Sequence, residues 1–335
     1  MQYIFTCQEN SRKLAVYELG LYDSSFRFEG WLSNEAGLAE TELDITELAA
    51  LIRTTPVIFV RHIFEVQREI TISDDTWRDE VIDLCHEKLD MTSDFSVQTR
   101  CLDDAVLPIK GIADSIAQPL TDEGYTLNVK DPVQAISVCI FGSTAYVGVD
   151  DVANNLSRFK GGMPHFAPTD EYSFISRAEY KLLDIIDCMH IDTDNVKTAL
   201  DLGAAPGGWT KALVESGMKV VSVDPLKLDE RIYKNPNVKC FRMTAEKYLT
   251  CGDNTKFDLI VNDMKLDVLK SLAIVSDFRD RLTDGGYAVI TFKLPHTFAY
   301  KHLREYLAWL NGFELVSARQ LFYNRSEITA VYRKI

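Results

Sequence analysis

TALDLGAAPGGWTK, residues 198–211, decides the fold. Ala199, Leu200 and Leu202 read as the end of a buried strand, and Asp201 closes it. Gly203, Ala204, Ala205, Pro206, Gly207 and Gly208 read as a tight turn. Trp209 then opens a helix, WTKALVESG. Such a strand–turn–helix brings backbone N–H groups and a helix N-terminus against a ligand. Gly207 and Gly208 lack a Cβ, so the backbone there can approach closely. About twenty residues on, VVSVDP ends a second strand in Asp224, a spacing that suits a carboxylate accepting from ribose hydroxyls. The glycines run Gly-x-x-x-Gly-Gly, not Gly-x-Gly-x-x-Gly. A ribose-binding acid without a phosphate-cradling fingerprint points to a nucleoside ligand lacking a pyrophosphate.

Alternation of strand and helix continues around this stretch. YSFISRAEYKLLDIIDCM reads as a helix ahead of it. KVVSVD, NVKCFRM, FDLIVND, YAVITFK and FELVSAR follow as strands separated by helices. That pattern implies an α/β, doubly wound, Rossmann-like parallel sheet over residues 173–335. EITAVYRKI follows FELVSAR without a crossover helix and should lie antiparallel to it. Upstream, residues 1–71 give the order βαββαβ, a ferredoxin-like α+β pattern ending in a long strand, PVIFVRHIFEV. Residues 72–150 form a second α/β module, with helices over TWRDEVIDLCHEKL and VLPIKGIADSIAQPL. Its strands are FSVQTRCL, AISVCIFG and TAYVGVD. Residues 151–172, with Gly161, Gly162, Pro164 and Pro168, read as a linker.

The 335 residues suffice for two or three domains. Composition is that of a soluble globular protein. The N-terminus, MQYIFTCQENSRK, lacks the features of a signal peptide, and no run is long enough to span a membrane, so a cytoplasmic location is expected. Seven scattered cysteines show no metal-ligand spacing and read as reduced thiols; no metal is expected. The formal charge of −14 is unevenly spread: residues 1–150 carry 11 Lys/Arg against 26 Asp/Glu, and residues 151–335 carry 25 against 24. That balance argues against a generally basic nucleic-acid binder; an anionic partner would have to meet local patches of the first half, or chiefly the second.

Ligands bind at the carboxyl ends of parallel strands. Those ends hold Gly203, Asp224, Asp263 in NDM and Lys293 in TFKLP. Lys181, in SRAEYKLL, and Glu327, in RSEITAVY, are polar positions in similarly apolar surroundings. Thr244, Ala245 and Glu246 follow the third strand. One of them should meet the base of the nucleoside, although Glu246 is equally an ordinary helix-start acid. Phe292, Pro295 and Phe298 are candidates for shaping a substrate pocket or for plain packing. His296 reads as an exposed loop histidine, and Trp209 reads as packing against the sheet.

The glycine turn closely resembles the AdoMet-binding motif of FtsJ-like RNA 2′-O-methyltransferases. That family carries a Lys–Asp–Lys–Glu tetrad, and the matching positions here are Lys181, Asp263, Lys293 and Glu327, all in order. KLP after the fifth strand and QLFYNRSEITAVYRK look closest to the bacterial large-subunit rRNA cytidine 2′-O-methyltransferases. Members of that branch carry a ferredoxin-like and a THUMP domain ahead of the catalytic one. TLNVKDPVQAISVCIFGSTAYVGVD resembles the end of a THUMP domain, an RNA-binding module, with Gln98, Arg100 and Lys110 as its RNA contacts. The resemblance implies S-adenosyl-L-methionine held by residues 203–209, Asp224, Glu246 and Asp263, and methyl transfer to a ribose 2′-OH of rRNA. A ribose hydroxyl is a poor nucleophile and needs a base; a lysine serves if burial or a nearby cation lowers its pKa. Lys293 is the expected base and Lys181 the cation. Asp263 would orient Lys293, and Glu327 would orient Lys181 and the ribose. The acidic first half departs from the family's usual RNA-binding surface. Three other readings are a tRNA substrate, a non-catalytic assembly factor with a relict site, and a nucleotide-dependent oxidoreductase. The intact tetrad argues against the second, and the missing Gly-x-Gly-x-x-Gly against the third.

Overall fold

The structure, a computed structural model, describes residues 1–54, 57–102, 104–164, 175–189, 191–295, 298–324 and 326–335. It divides into two compact units, Met1–His165 and Phe166–Ile335.

The first unit opens with β1 (Gln2–Thr6), α1 (Arg12–Tyr22), β2 (Arg27–Trp31), β3 (Ala36–Glu40), α2 (Ile45–Thr54) and β4 (His62–Val66). Their strands form an antiparallel sheet in the order β2-β3-β1-β4, the ferredoxin-like arrangement. The long strand expected over PVIFVRHIFEV is shorter than its hydrophobicity suggests. Val57 to Val60 are buried but lie outside any strand. The backbone N–H groups of Ile58 and Phe59 donate instead to the buried Glu18 carboxylate on α1, at 2.9 and 2.8 Å. A side chain thus satisfies donors that a neighbouring strand would otherwise take.

At Gln67 the chain changes sheets, before the boundary expected at residue 71. The second sheet holds β5 (Arg68–Thr71), β6 (Phe95–Cys101), β7 (Gln134–Phe141) and β8 (Thr144–Asp151), in the order β5-β8-β7-β6. Two helices, α3 (Trp77–Lys88) and α4 (Ile112–Asp122), cover one face; Trp77, Val81, Leu84, Ile116 and Leu120 pack on Ile136, Val138 and Val147. The second helix starts at Ile112 and not at Val106, because Gly111 takes φ 83°. The first part of the expected linker is a strap tied to this unit. Asn155 Nδ2 donates to the Ile63 carbonyl at 2.9 Å, and Thr6 Oγ1 donates to the Gly161 carbonyl at 2.8 Å. Residues 165–172 of that stretch lie outside the described residues.

In the second unit, α5 (Ala178–Cys188) precedes β9 (Thr198–Leu202), α6 (Gly208–Glu215), β10 (Lys219–Val223), α7 (Glu230–Tyr233) and β11 (Val238–Phe241). There follow α8 (Ala245–Thr250), β12 (Phe257–Asn262), α9 (Val268–Asp277), β13 (Leu282–Lys293), α10 (Tyr300–Leu307), β14 (Phe313–Arg319) and β15 (Glu327–Lys334). The seven strands order as β11-β10-β9-β12-β13-β15-β14. The first five are parallel, and β15 runs antiparallel to both neighbours, as the missing crossover helix implies. Central strands such as β9 are buried on both faces, so they read as continuous apolar runs. The core joins α5 and α6 to this sheet through Leu182, Ile185, Trp209, Leu213, Val261 and Val331. All seven cysteines are free thiols. No helix among the described residues is long and apolar enough to cross a membrane.

Candidate active site

The chain leaves β9 toward β10 and β11 on one side, then returns to place β12 on the other. Strand order therefore reverses between β9 and β12, and a crevice opens at their carboxyl ends. Leu202 and Asn262 are in register there, so the residues that follow, Gly203 and Asp263, leave the sheet side by side. Gly203 has φ 82°, and a Cβ on it would fall 2.6 Å from Met264 Cγ. At the start of α6, a Cβ on Gly208 would fall 2.2 Å from Ser176 Oγ. That absence of a side chain lets the front of α5 close onto α6. Glu179 fixes the approach: its carboxylate accepts from the backbone N–H groups of Ile175 and Ser176 and from Lys211 Nζ at 3.0 Å.

Three elements now bring four charged groups together. The first is α5, which carries Lys181. The second is the turn after β12, which carries Asp263. The third is the β13–β15 ladder, in which Lys293 stands directly opposite Glu327. Lys181 Nζ donates to Asp263 Oδ1 at 3.0 Å and to Glu327 Oε1 at 2.6 Å. Lys293 Nζ donates to the same Asp263 oxygen and to the other oxygen of Glu327. Each carboxylate bridges both ammonium groups. The Lys181 side chain is 5% exposed and the Lys293 side chain 27%. Lys181 Nζ also sits 5.7 Å from the Trp209 ring centroid, a cation–π contact in a desolvated setting.

This geometry sets the protonation states. Burial alone would push the Asp263 carboxyl up, but Lys181 and Lys293 outweigh it and hold it below the ordinary range. Burial alone would depress the Lys293 amine, but Asp263 and Glu327 outweigh that, and its pKa is raised. The expectation that Lys181 keeps Lys293 easily deprotonated is therefore corrected. Two carboxylates lie between the cations, and their attraction for the Lys293 proton dominates.

Comparison with known proteins bears on the second unit. Residues 174–281 match the family model for FtsJ-like methyltransferases. Among curated relatives, a protein named ribosomal RNA large subunit methyltransferase M from Shewanella sp. (strain ANA-3) is 27% identical over 64% of this chain and 62% of its own. Its namesake from Tolumonas auensis is 30% identical over 52% of this chain and 50% of its own. The chain thus spans 62% and 50% of the length of these two relatives. A solved structure, TrmN from Thermus thermophilus, covers all of both chains at 14% identity with a TM-score of 0.40, a likeness too slight to build on.

The second unit places the other expected residues unevenly. Asp224 follows β10 and is 8% exposed. Its carboxylate accepts from the backbone N–H of Ala205 at 3.1 Å and of Leu226 at 2.7 Å, so it first of all holds the glycine turn. Ala204, Ala205 and Pro206 lie in that turn. Trp209 is 3% exposed and belongs to the core, so its ring faces Lys181 and the sheet, not a ligand. Glu246 is exposed in the first turn of α8, which Thr244 caps, and hydrogen bonds from its own N–H and from Thr244 hold its carboxyl low. Phe292 is fully buried in β13, Pro295 is exposed and Phe298 is half-buried. His296 lies outside the described residues.

Two of the three expected RNA contacts in the first unit are corrected. Gln98 is 7% exposed, and its Nε2 donates to the Arg158 carbonyl of the strap at 2.9 Å. Arg100 lies beneath Gly161, where a Cβ would fall 2.4 Å from its Nη1. Both point into the unit because they alternate onto the covered face of β6. Lys110 is exposed in the loop before α4.

Sequence reading missed two residues that shape the candidate site. Asp201, fully buried, accepts from Thr210 Oγ1 at 2.6 Å, and burial pushes its carboxyl up to about 7, with Asp263 and Asp224 adding to the rise. Asn262 donates through Nδ2 to Ser271 Oγ at 3.0 Å and accepts from the Met264 N–H at 3.1 Å, which folds the turn that presents Asp263. A polar residue inside an apolar strand was the signal available for both.

Proposed function

We propose that the protein methylates a ribose 2′-OH of ribosomal RNA, with S-adenosyl-L-methionine as donor. The observation that carries this reading is the crossing of Lys181, Asp263, Lys293 and Glu327 beside the Gly203 turn. The relatives' printed name supports the choice of rRNA. The turn's residues fit the donor. Gly203 to Gly207 form a small-residue turn at the head of α6, and Asp224 keeps lone pairs free for ribose hydroxyls beyond its two backbone bonds. When bound, the donor supplies an activated methyl on a sulfonium.

The chain's own groups handle the proton. At rest Lys293 Nζ is an ammonium shared between Asp263 and Glu327. Its partial exposure lets that proton leave for solvent. The neutral Nζ then accepts the proton of the ribose 2′-OH, held against Glu327. Lys181, buried between the same two carboxylates, is the group placed to stabilise the negative charge growing on the 2′-oxygen. Residues 68–151 act as an RNA-positioning module. The acidic balance of the first half makes its contribution one of orientation more than bulk phosphate attraction. Nucleoside mass spectrometry of RNA from a deletion strain tests the reading: one 2′-O-methylated nucleoside should vanish from large-subunit rRNA and return on complementation. Loss from tRNA alone would overturn the substrate, and no loss from any RNA would overturn the activity.

A further inference from the structure

Asp201 joins the end of β9 to the head of α6 and makes no ion pair among the described residues. Its bonds are to neutral groups. The Thr210 hydroxyl donates to its Oδ2 at 2.6 Å, and the Thr210 N–H donates to the same carboxylate. Ser222 Oγ, on β10, lies 2.8 Å from the Thr210 hydroxyl, and either oxygen of that pair can be the donor. All three side chains are buried. The chain therefore serves both forms of the acid. When Asp201 is ionised, Ser222 donates to Thr210 and Thr210 to Asp201; when it is protonated, Asp201 donates to Thr210 and Thr210 to Ser222. Burial opposes its ionisation most, and Asp263 after β12 and Asp224 after β10 add to that, which puts the carboxyl at about 7. The cations on the surrounding elements are engaged elsewhere. Asp263 and Glu327 hold Lys181 of α5 and Lys293 of β13, and Glu179 of α5 and Glu215 of α6 hold Lys211.

We propose that Asp201 distinguishes the cationic methyl donor from its neutral product, losing a proton when a sulfonium occupies the glycine turn and regaining one after the methyl has left. The inference rests on the methylation reading above. S-adenosyl-L-methionine and S-adenosyl-L-homocysteine differ by one methyl group and one positive charge on sulfur. Asp224 binds the turn through the Ala205 N–H, and Asp263 leaves the sheet beside Gly203, so a cation on the turn enters the field of the two carboxylates that already act on Asp201. It favours the ionised form of Asp201, as they disfavour it. Asp263 cannot play this part, because its two lysines keep it ionised. The balance is one carboxylic proton released to solvent for one positive charge bound. After transfer the sulfur is neutral, the carboxylate takes a proton back from solvent, and the product is no longer held by charge.

The test is calorimetric binding of S-adenosyl-L-methionine and of S-adenosyl-L-homocysteine to the full-length protein across neutral pH, in two buffers with different heats of ionisation. Donor affinity should rise as pH rises toward about 7 and level off above it, by at most about tenfold per pH unit, with a buffer-dependent heat that reports proton release. Product affinity should stay flat and show no such heat. Asp201→Asn keeps the side chain's shape and its bond from Thr210, so it should bind product as the wild type does and lose both the donor's pH dependence and the proton release. Thr210→Val gives an independent arm should Asp201→Asn unfold, as judged by thermal melting. Without the hydroxyl that stabilises the carboxylate, the midpoint of the donor profile should move to higher pH while product binding is unchanged. An unchanged donor profile in folded Asp201→Asn, an unmoved midpoint in Thr210→Val, or one profile shared by donor and product overturns this role while the methylation reading stands. Failure of the wild type to bind either compound at any pH overturns that reading and this role with it.

Discussion

Lys293 is the residue on which the chemistry turns. Lys293→Ala removes the acceptor of the 2′-OH proton but leaves the glycine turn and Asp224 untouched, so donor affinity should stay within about twofold. Single-turnover methyl transfer should fall by about 10²–10⁴, the usual scale for a lost general base. The ladder sharpens the expectation for pH. Because Asp263 and Glu327 raise the Lys293 pKa, the neutral amine is scarce near neutral pH and gains population as pH rises. Each pH unit should therefore raise the rate about tenfold across pH 7 to 9. Lys293→Arg keeps a cation between the carboxylates and should preserve folding, but a guanidinium cannot give up its proton and should not restore transfer. The assay is rapid-quench incorporation of labelled methyl with donor and RNA saturating. Near wild-type transfer by Lys293→Arg would refute the assignment and reduce Lys293 to an electrostatic anchor.

Lys181→Met should lower Tm by several degrees, because it leaves two half-buried carboxylates with one cation; the wild type's Asp263 contribution is present above the unfolded carboxyl pKa and is lost as pH falls, so the Tm gap between the two proteins should narrow in acid. Lys293, with its pKa raised, adds stability that is complete below its unfolded pKa and is lost as pH rises from there through its folded one, so alkaline melts of the wild type should show a decline that Lys293→Ala lacks. Asp224→Ala should weaken donor binding by about 1.5–3 kcal/mol in calorimetry. Gly208→Ala drives a methyl to 2.2 Å from Ser176 Oγ and should destabilise the second unit, and Ser176→Gly in the same chain should recover part of the loss in a melt. Arg100→Ala should change the stability of the first unit and leave RNA affinity unaltered, since the guanidinium lies under the strap.

The second unit was legible because its signals are local and regular. Each strand end that bears a functional group breaks an apolar run, and the β-α alternation says which ends share an edge. What the sequence could not show was how the groups share their protons. Lys181 and Glu327 are 146 residues apart, and only the assembled ladder reveals that both carboxylates intervene between the lysines. In the first unit, hydrophobicity misled at Val57–Val60, where burial came without a strand because Glu18 supplied the acceptors. Gln98 and Arg100 misled in the opposite sense. Polar residues on an edge strand look solvated until a distant segment, here residues 152–163, is laid across them. Such contacts leave no periodic trace.

The opposition of Lys293 and Glu327 ties the site to the stitching of two strands. Successive side chains on a strand face opposite sides, so a one-residue insertion within either strand would exchange Glu327 for a neighbour and turn its carboxylate through the sheet. The apolar pattern of β13 and β15 opposes that slip along seven paired positions, from Tyr287 with Arg333 to Lys293 with Glu327. The separation between proton acceptor and carboxylate is thus metered by backbone hydrogen bonds and not by side-chain reach. Length variation in this protein should be found in its loops and at the far ends of its strands, while the span from Tyr287 to Lys293 and its mate keep a fixed count.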